Sequence, residues 1–355
     1  MNSAYDQVLS ADAATRAGLF TTTAQRLSST PQNIEKDFWV CWALDALFNG
    51  MPNDSPRLLF KGGTSLSKGF GLISRFSEDI DVTVFRDDLG EGTSIAELQN
   101  LSRTKREAKL DAIKDACTAY IQGPMAEALT VLVAATAERT GLPQKDFQVR
   151  TDDDDRQTLL LWYPTATPVE AYVRPAVKIE SGAKSALDPN TPQIIRPYVD
   201  EDAPGLDLSV ADVTTVDPER TFWDKVVILH GLRRWFERRG ELRGGGQRIS
   251  RHCYDIHQLM ESEIGRRAIA NKDIGADCVA HARMFFNRKD YDLATAQPPT
   301  FALLPHDGMI DALRRDYVAM SAMIVSASPI TYGFGLDVFR NRQGMSSSIW
   351  LCGWP

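Results

Sequence analysis

Residues 58–85 constrain the fold more than any other part of this 355-residue chain. They predict a buried apolar strand, a tight turn at Gly62 and Gly63, a short helix, and a second strand that carries Asp79 and Asp81. Because side chains alternate along a strand, two acids at positions i and i+2 project from the same face. Like charges held side by side repel each other, so this pair predicts a bound cation.

The turn between the two strands suits a phosphate group. Glycine lets the backbone approach an anion closely, and the start of a helix offers free N–H groups. Thr64 and Ser65 add hydroxyls directly after Gly62 and Gly63, so these four residues are predicted to bind nucleotide phosphates. A divalent cation beside such a turn is typical of phosphoryl or nucleotidyl transfer, in which metal ions bridge phosphate oxygens and activate the attacking hydroxyl.

Two segments of this stretch resemble the motifs of a known family. FKGGTSL at 60–66 is similar to the Gly-Gly motif, and RFSEDID at 75–81 to the Asp-x-Asp motif, of the AbiEii/AbiGii toxin family. IEKDFWVCWALDALF, which begins at Ile34, resembles the helix that precedes the Gly-Gly motif. These toxins are nucleotidyltransferases of the DNA polymerase β type. The resemblance covers most of the chain between about residues 34 and 259.

The resemblance implies further residues at the metal site. Glu180, at the end of a predicted strand, would be the third metal-binding carboxylate beside Asp79 and Asp81. Ser77 would place a hydroxyl near the metal ions. For Glu180 an equally good alternative is an ordinary polar residue at a strand end.

Two more residues gain roles from the resemblance. TFWDK at 221–225 looks like the motif whose lysine holds the triphosphate as a point charge, which assigns that role to Lys225. RHCYDI at 251–256 resembles the Arg-x-x-Tyr-Asp segment of the family, with Asp255 as the matching acid. Asp255 would orient Lys225 through an ion pair, or contact the nucleotide or a metal-bound water.

Composition and charge narrow the class of protein. With 43% hydrophobic and 25% charged residues, the chain is long enough for two globular domains. Its net charge of −7 means that any nucleic-acid surface must be a local patch. The five cysteines have no paired spacing, which argues against a disulfide framework or a zinc knuckle. No run of about 18 apolar residues and no export signal is present, so we expect a cytoplasmic protein without membrane contact.

We therefore predict an α/β (α+β) fold in two domains. A polymerase β-like nucleotidyltransferase core with a mixed sheet and N-terminal helices would occupy 1–205, and an α-helical domain 206–355, with the active site in the cleft between them. The boundary follows a connector at 181–204 that is rich in Pro, Asp, Ser and Gly. Helices are predicted over 5–26 and 94–121, among others.

An arginine-rich strip is the densest positive patch of the chain. Its members are Arg233, Arg234, Arg238, Arg239, Arg243, Arg248 and Arg251. Two interpretations stay open: contact with an RNA backbone, or a solvated helix face paired with its own glutamates.

The activity that the resemblance implies is transfer of a nucleoside monophosphate from an NTP, with Mg²⁺ or Mn²⁺ and release of pyrophosphate. The protein would be the toxin of a type IV toxin–antitoxin or phage-defence (abortive infection) system, with a cognate antitoxin as partner. The expected acceptor is the 3′ end of tRNA, whose modification would block translation. The alternatives are a protein hydroxyl as acceptor, or a non-catalytic module that binds a nucleotide or a partner.

Overall fold

The computed structural model describes residues 1–77, 79–168, 174–246, 248–297 and 300–321. The chain divides into two compact units, Met1–Gly71 with Phe76–Val216 and Leu72–Arg75 with Asp217–Pro355. The first unit extends past the expected boundary at residue 205 because a further strand of its sheet follows the connector. The short segment before the acidic motif, which groups with the second unit, was not expected from the sequence.

The first unit is built on a seven-stranded mixed sheet. Its strands are β1 (Leu58–Lys61), β2 (Asp79–Val84), β3 (Gln148–Thr151), β4 (Thr158–Trp162), β5 (Ala176–Gly182), β6 (Asn190–Ile195) and β7 (Val210–Val216). They lie side by side in the order β3-β4-β5-β2-β1-β7-β6. β2 pairs with β5 and β1 with β7 in parallel, whereas the other neighbours are antiparallel. The predicted α/β fold with a mixed sheet is confirmed.

The central strands show the predicted alternation. On β2, Ile80 and Val82 are fully buried, while Asp79 and Asp81 are half-buried. β5 repeats the pattern around the buried Ile179. The apolar side chains fix the register of the sheet, because a slip by one residue would turn them to the opposite face. The same constraint places the two aspartates together.

The helices of the first unit are α1 (Ala4–Leu9), α2 (Ala13–Leu27), α3 (Pro31–Asp45), α4 (Gly62–Lys68), α5 (Ile95–Asn100), α6 (Arg103–Tyr120) and α7 (Ala126–Thr140). Both long predicted helices are divided in two, and capping residues explain why. Asp12 accepts a hydrogen bond from the backbone N–H of Thr15 and so starts α2. Ser94 and Ser102 cap α5 and α6 in the same way.

α3 is buried on almost every side. The sequence predicts a single buried stripe through Ile34, Phe38 and Trp42, and these residues are in the core. The opposite side of the helix is buried as well, and it carries the charged residues Glu35 and Asp37. A hydrophobic pattern cannot reveal such positions, because it assigns charged residues to the surface.

Each buried acid of α3 has partners in the first unit. Glu35 accepts hydrogen bonds from the backbone N–H groups of Ala166 and Thr167 at 2.6 and 3.0 Å. Asp37 lies 2.6 Å from the ammonium of Lys68, at the end of α4, and accepts a hydrogen bond from the N–H of Tyr198 at 2.7 Å. The ion pair between Asp37 and Lys68 therefore fastens α4 to the central helix of the unit.

The described regular elements of the second unit are helices. They are α8 (Pro218–Arg239), α9 (Ser250–Glu261), α10 (Glu263–Ala270), α11 (Lys272–Phe285) and α12 (Asp307–Ser321). The apolar face predicted for α8 is confirmed, since Phe222, Val226 and Leu229 are buried. Trp223 on the same helix donates a hydrogen bond from Nε1 to the carbonyl oxygen of Ala268. The C-terminal tail from residue 322 lies outside the described residues.

Across the described ranges, none of the helices combines the length and the apolar character needed to cross a membrane.

Candidate active site

Gly62 lies directly against one of the two acids of β2. Its φ of +83° belongs to the left-handed region that favours glycine. A Cβ at this position would stand 2.0 Å from Oδ2 of Asp81. Glycine is therefore required for two independent reasons, backbone conformation and space. The predicted phosphate-binding turn and the acidic strand are thus in contact.

The two hydroxyl residues after the glycines are fully buried and bind the protein itself. Ser65 donates from Oγ to the carbonyl oxygen of Gly62 at 2.9 Å. Oγ1 of Thr64 lies 2.5 Å from the carbonyl oxygen of Asp79 and 2.8 Å from Oγ of Ser77. Because a carbonyl oxygen can only accept, Thr64 donates its one hydrogen to Asp79 and accepts from Ser77.

These bonds show what the hydroxyl groups contact within the protein. Thr64 fixes Ser77 and the first residue of β2 to α4, and Ser65 closes the turn at Gly62. Neither hydroxyl is presented as a ready phosphate donor. α4 begins after Lys61 without a side-chain capping bond, so its first N–H groups are the donors that this turn offers to an anion.

The sheet places Glu180 beside the acidic pair, as predicted. In the parallel pairing of β2 with β5, Asp81 is opposite Glu180 and Asp79 is opposite Lys178. Residues paired in this way project from the same face of the sheet. Glu180, however, forms an ion pair with Lys178 at 2.5 Å. Within the described residues, no group of three His, Cys, Asp or Glu side chains is arranged to hold a metal ion.

The acidic pair still fits a divalent cation. Mg²⁺ prefers carboxylate oxygens and is usually bound through one or two carboxylates together with substrate phosphates, rather than by an all-protein cage. Asp79 and Asp81 supply two such groups on one face, next to the turn at Gly62. A third protein ligand is not needed for this type of site.

The second unit contains a buried cluster of Arg75, Lys225 and Asp255. The guanidinium of Arg75 donates to both carboxylate oxygens of Asp255, from Nε to Oδ1 at 2.8 Å and from a terminal nitrogen to Oδ2 at 2.9 Å. The ammonium of Lys225 donates to Oδ2 at 2.8 Å. The exposed fraction of the three side chains is 4% for Arg75, 7% for Lys225 and 0% for Asp255. The ion pair expected between Lys225 and Asp255 is present.

Sequence reasoning missed Arg75. It is the first residue of the RFSEDID motif. This position in the motif was the only feature of the sequence that could have marked Arg75 as a functional residue. The alternation of β2 gives no information about a residue four positions before the strand. Its partner lies 180 residues further along the chain, a separation that no local pattern can bridge.

Two pKa shifts follow from this cluster. Burial by itself would raise the pKa of Asp255, but the charges and hydrogen bonds of Lys225 and Arg75 more than offset it and hold the pKa well below its usual range. Burial lowers the pKa of His252, and the positive charges of Lys225 and Arg251 lower it further. At neutral pH, Asp255 is therefore ionised and His252 is uncharged.

The arginines of α8 are engaged with acids of the same unit. Arg233 and Arg234 pair with Glu237, and Arg239 pairs with Asp290. Arg238 lies within reach of both Asp290 and Asp292. This arrangement is expected for a helix face whose arginine charges are neutralised by acids of the same unit. The strip therefore provides no support for an RNA-binding surface on this helix.

Comparisons with known proteins show what this chain is similar to. A family model described as nucleotidyl transferase AbiEii toxin, type IV TA system, matches residues 45–338. Among solved structures, the chain is similar to MenT4, a nucleotidyltransferase toxin from Mycobacterium tuberculosis. The sequence identity is 14% and the TM-score is 0.41, over 93% of this chain and 98% of that one. A search of curated proteins finds no match.

Proposed function

The chain belongs to the AbiEii family of nucleotidyltransferase toxins from type IV toxin–antitoxin systems, and from this premise we propose that it transfers NMP from an NTP to the 3′ end of tRNA and so blocks translation. Membership of the family accounts for the transferase activity, for an NTP as substrate and for a cognate antitoxin as partner. The acceptor, the metal dependence and the individual site residues are our proposal.

One observation carries the proposal: Gly62 and Asp81 are in contact, with no space for a side chain at position 62. A phosphate bound at the turn therefore lies next to a carboxylate, an arrangement that is unfavourable unless a cation is also bound. NTP enters active sites as a complex with a divalent metal, which meets this requirement.

Asp79 and Asp81 are the residues that would hold Mg²⁺ or Mn²⁺, with Glu180 as a third candidate on the neighbouring strand. The ion, when bound, would neutralise charge on the phosphate oxygens and favour ionisation of the attacking hydroxyl. Thr64 and Ser77 hold the first residue of β2 in place through their hydrogen bonds. Rigid support of this kind matters because displacement of a catalytic group by about 1 Å can lower the rate about a hundredfold.

The reaction itself is an in-line displacement. A hydroxyl oxygen of the acceptor attacks the α-phosphorus, a new P–O bond forms, the bond to the bridging oxygen of the β-phosphate breaks, and pyrophosphate leaves. The hydroxyl proton is released in the same process. We assign to Gly62 and Gly63 the backbone contacts to the triphosphate, and to Lys225 the neutralisation of its negative charge.

A direct test supplies the purified protein with each α-labelled NTP, Mg²⁺ and total RNA together with total protein. We expect the label to enter tRNA. Label found only in protein would replace tRNA by a protein hydroxyl as acceptor. Nucleotide binding without any label transfer would identify a non-catalytic module.

Matched variants show whether the site is responsible. Asp79→Asn and Asp81→Asn remove one charge each from the acidic pair and are expected to abolish transfer. Asp153→Asn makes the same chemical change in the exposed turn between β3 and β4 and is expected to leave transfer unchanged. Equal activity in all three variants would show that the acidic pair is not the catalytic site.

A further inference from the structure

The cluster around Asp255 contains two cations and one anion. Arg75 and Lys225 each carry a positive charge, and both pair with the ionised carboxylate of Asp255. All three side chains are more than nine-tenths buried. Removing charges from water is costly, so a buried charge is retained where a partner compensates for it. Asp255 is a partner of both cations.

The geometry assigns different tasks to the two cations. The planar guanidinium of Arg75 donates hydrogen bonds to both carboxylate oxygens of Asp255, whereas Lys225 donates only to Oδ2. A bidentate arginine is a fixed partner for a carboxylate, while a lysine is a point charge on a flexible stem. Lys225 is therefore the cation that can change partners, and Arg75 is the one that stays.

Arg75 is needed to keep Asp255 paired when Lys225 leaves it. If Lys225 were the only partner of Asp255, moving its ammonium to a phosphate would leave a carboxylate buried and unpaired, which is strongly unfavourable. With the guanidinium in place, Asp255 keeps two hydrogen bonds after Lys225 departs. The uncharged ring of the neighbouring His252 cannot supply this charge.

We propose that Arg75 is a positioning residue for the transfer reaction, which holds Asp255 so that Lys225 is released to bind the polyphosphate of the substrate. The inference rests on the function proposed above and deepens it by giving a role to the first residue of the RFSEDID motif, four positions before the acidic pair. Arg75 itself does not touch the substrate. It acts through the carboxylate that it shares with Lys225.

The test measures binding of inorganic tripolyphosphate by calorimetry to the full chain, without acceptor, for the wild type and three variants. Arg75→Gln leaves Lys225 locked onto Asp255 and is expected to weaken binding at least about tenfold, equivalent to about 1.4 kcal/mol. Arg75→Lys keeps a cation on Asp255 but loses the bidentate fork, and it is expected to bind more weakly than the wild type and more tightly than Arg75→Gln. The double variant Arg75→Gln with Asp255→Asn removes the carboxylate that holds Lys225, so it should bind better than Arg75→Gln alone.

The recovery in the double variant is the decisive readout. If Arg75 only supported the fold, tripolyphosphate binding would rise and fall together with the free energy of unfolding in urea across the variants, because residues in contact couple in stability with either sign. Equal binding by Arg75→Gln and the wild type, or a double variant weaker than Arg75→Gln, would overturn the inference. So would an Arg75→Lys protein that folds, by circular dichroism, and binds as weakly as Arg75→Gln.

The binding experiment is independent of the transfer assay. If the expected binding pattern is found but no label reaches tRNA or protein, the proposed function fails and the assignment of Arg75 is supported. If the wild type does not bind tripolyphosphate, the assignment of Arg75 is overturned, whatever the transfer assay shows.

Discussion

At the scale of single residues, Gly62 can be compared with a glycine that shares its conformation but not its surroundings. Gly62 and Gly141 both have positive φ, at +83° and +71°. A Cβ on Gly62 would meet Asp81, whereas one on Gly141 would meet nothing within 4 Å. Alanine at either site should cost about 1–2 kcal/mol of unfolding free energy from backbone strain. Only Gly62→Ala should also displace Asp81 and lower the transfer rate, by about a hundredfold.

Urea unfolding and initial rates of NMP transfer check this prediction in the two variants. A Gly62→Ala enzyme that keeps the wild-type rate would contradict the close approach of the turn to Asp81. An equal loss of rate in Gly141→Ala would show that backbone strain, rather than the contact, is responsible.

Thr64 and Thr83 form a second matched pair. Both are fully buried, but Oγ1 of Thr64 contacts Asp79 and Ser77, while Oγ1 of Thr83 has no hydrogen-bond partner among the described residues. Thr64→Val removes the hydroxyl that donates to the partly buried carbonyl of Asp79 and should cost about 1–3 kcal/mol of unfolding free energy. Thr83→Val should be neutral or stabilising, because it removes an unsatisfied hydroxyl. Equal unfolding midpoints in urea for the two variants would be incompatible with this hydrogen-bond assignment.

Asp255 makes the stability of the protein depend on pH. Its pKa is lower in the folded state than in the unfolded chain, where it is about 3.9. Its contribution is therefore complete above that value and is lost as the pH falls through the folded pKa. At pH 7, Asp255→Asn should be less stable by about 3–5 kcal/mol, since it removes the carboxylate that both buried cations contact. Urea titrations should show this difference narrowing below about pH 4; a constant difference down to pH 3 would contradict the ion-pair assignment.

At the scale of secondary-structure elements, β5 carries the residue whose role is most open. Lys178 forms an ion pair with the carboxylate of Glu180, on the face of the sheet that also carries Asp79 and Asp81. If Glu180 is a metal ligand, Lys178 competes with the metal for it. Glu180→Gln should then weaken Mn²⁺ binding about tenfold, and Lys178→Met should strengthen it. Mn²⁺ titrations followed by electron paramagnetic resonance measure both, and affinities unchanged in both variants would leave Glu180 as a polar strand end.

The sequence was sufficient to predict the strand–turn–helix–strand unit that carries the acidic pair and the glycine turn. Alternation along β2 predicted the shared face of its acids, and the glycines predicted the turn, because both signals depend on local backbone geometry. The buried acids of α3 and the protein-bound hydroxyl of Thr64 could not be predicted. Their environment is set by residues far away in the sequence, such as Lys68 for Asp37.

At the scale of the whole molecule, the order of an α/β unit followed by a helical unit was predictable from the change in periodicity along the chain. The grouping of Leu72–Arg75 with the second unit was not, since it depends on a contact with Asp255 that spans 180 residues. The chain has more acidic than basic residues, with a net charge of −7, and arginines on α8 form ion pairs with acids of the same unit. The labelling experiment identifies the acceptor, since the arginines of α8 are paired with acids of the same unit.

The central claim is that the enzyme transfers the α-phosphoryl group of an NTP with its nucleoside. Parallel reactions with the same NTP labelled at the α- or the γ-phosphate, followed by separation of acceptor and pyrophosphate, test it most directly. We predict that the α-label enters the acceptor and an equal amount of γ-label appears in pyrophosphate, with neither product formed by the Asp81→Asn protein. Transfer of the γ-label to the acceptor, or undiminished transfer by Asp81→Asn, would contradict the account.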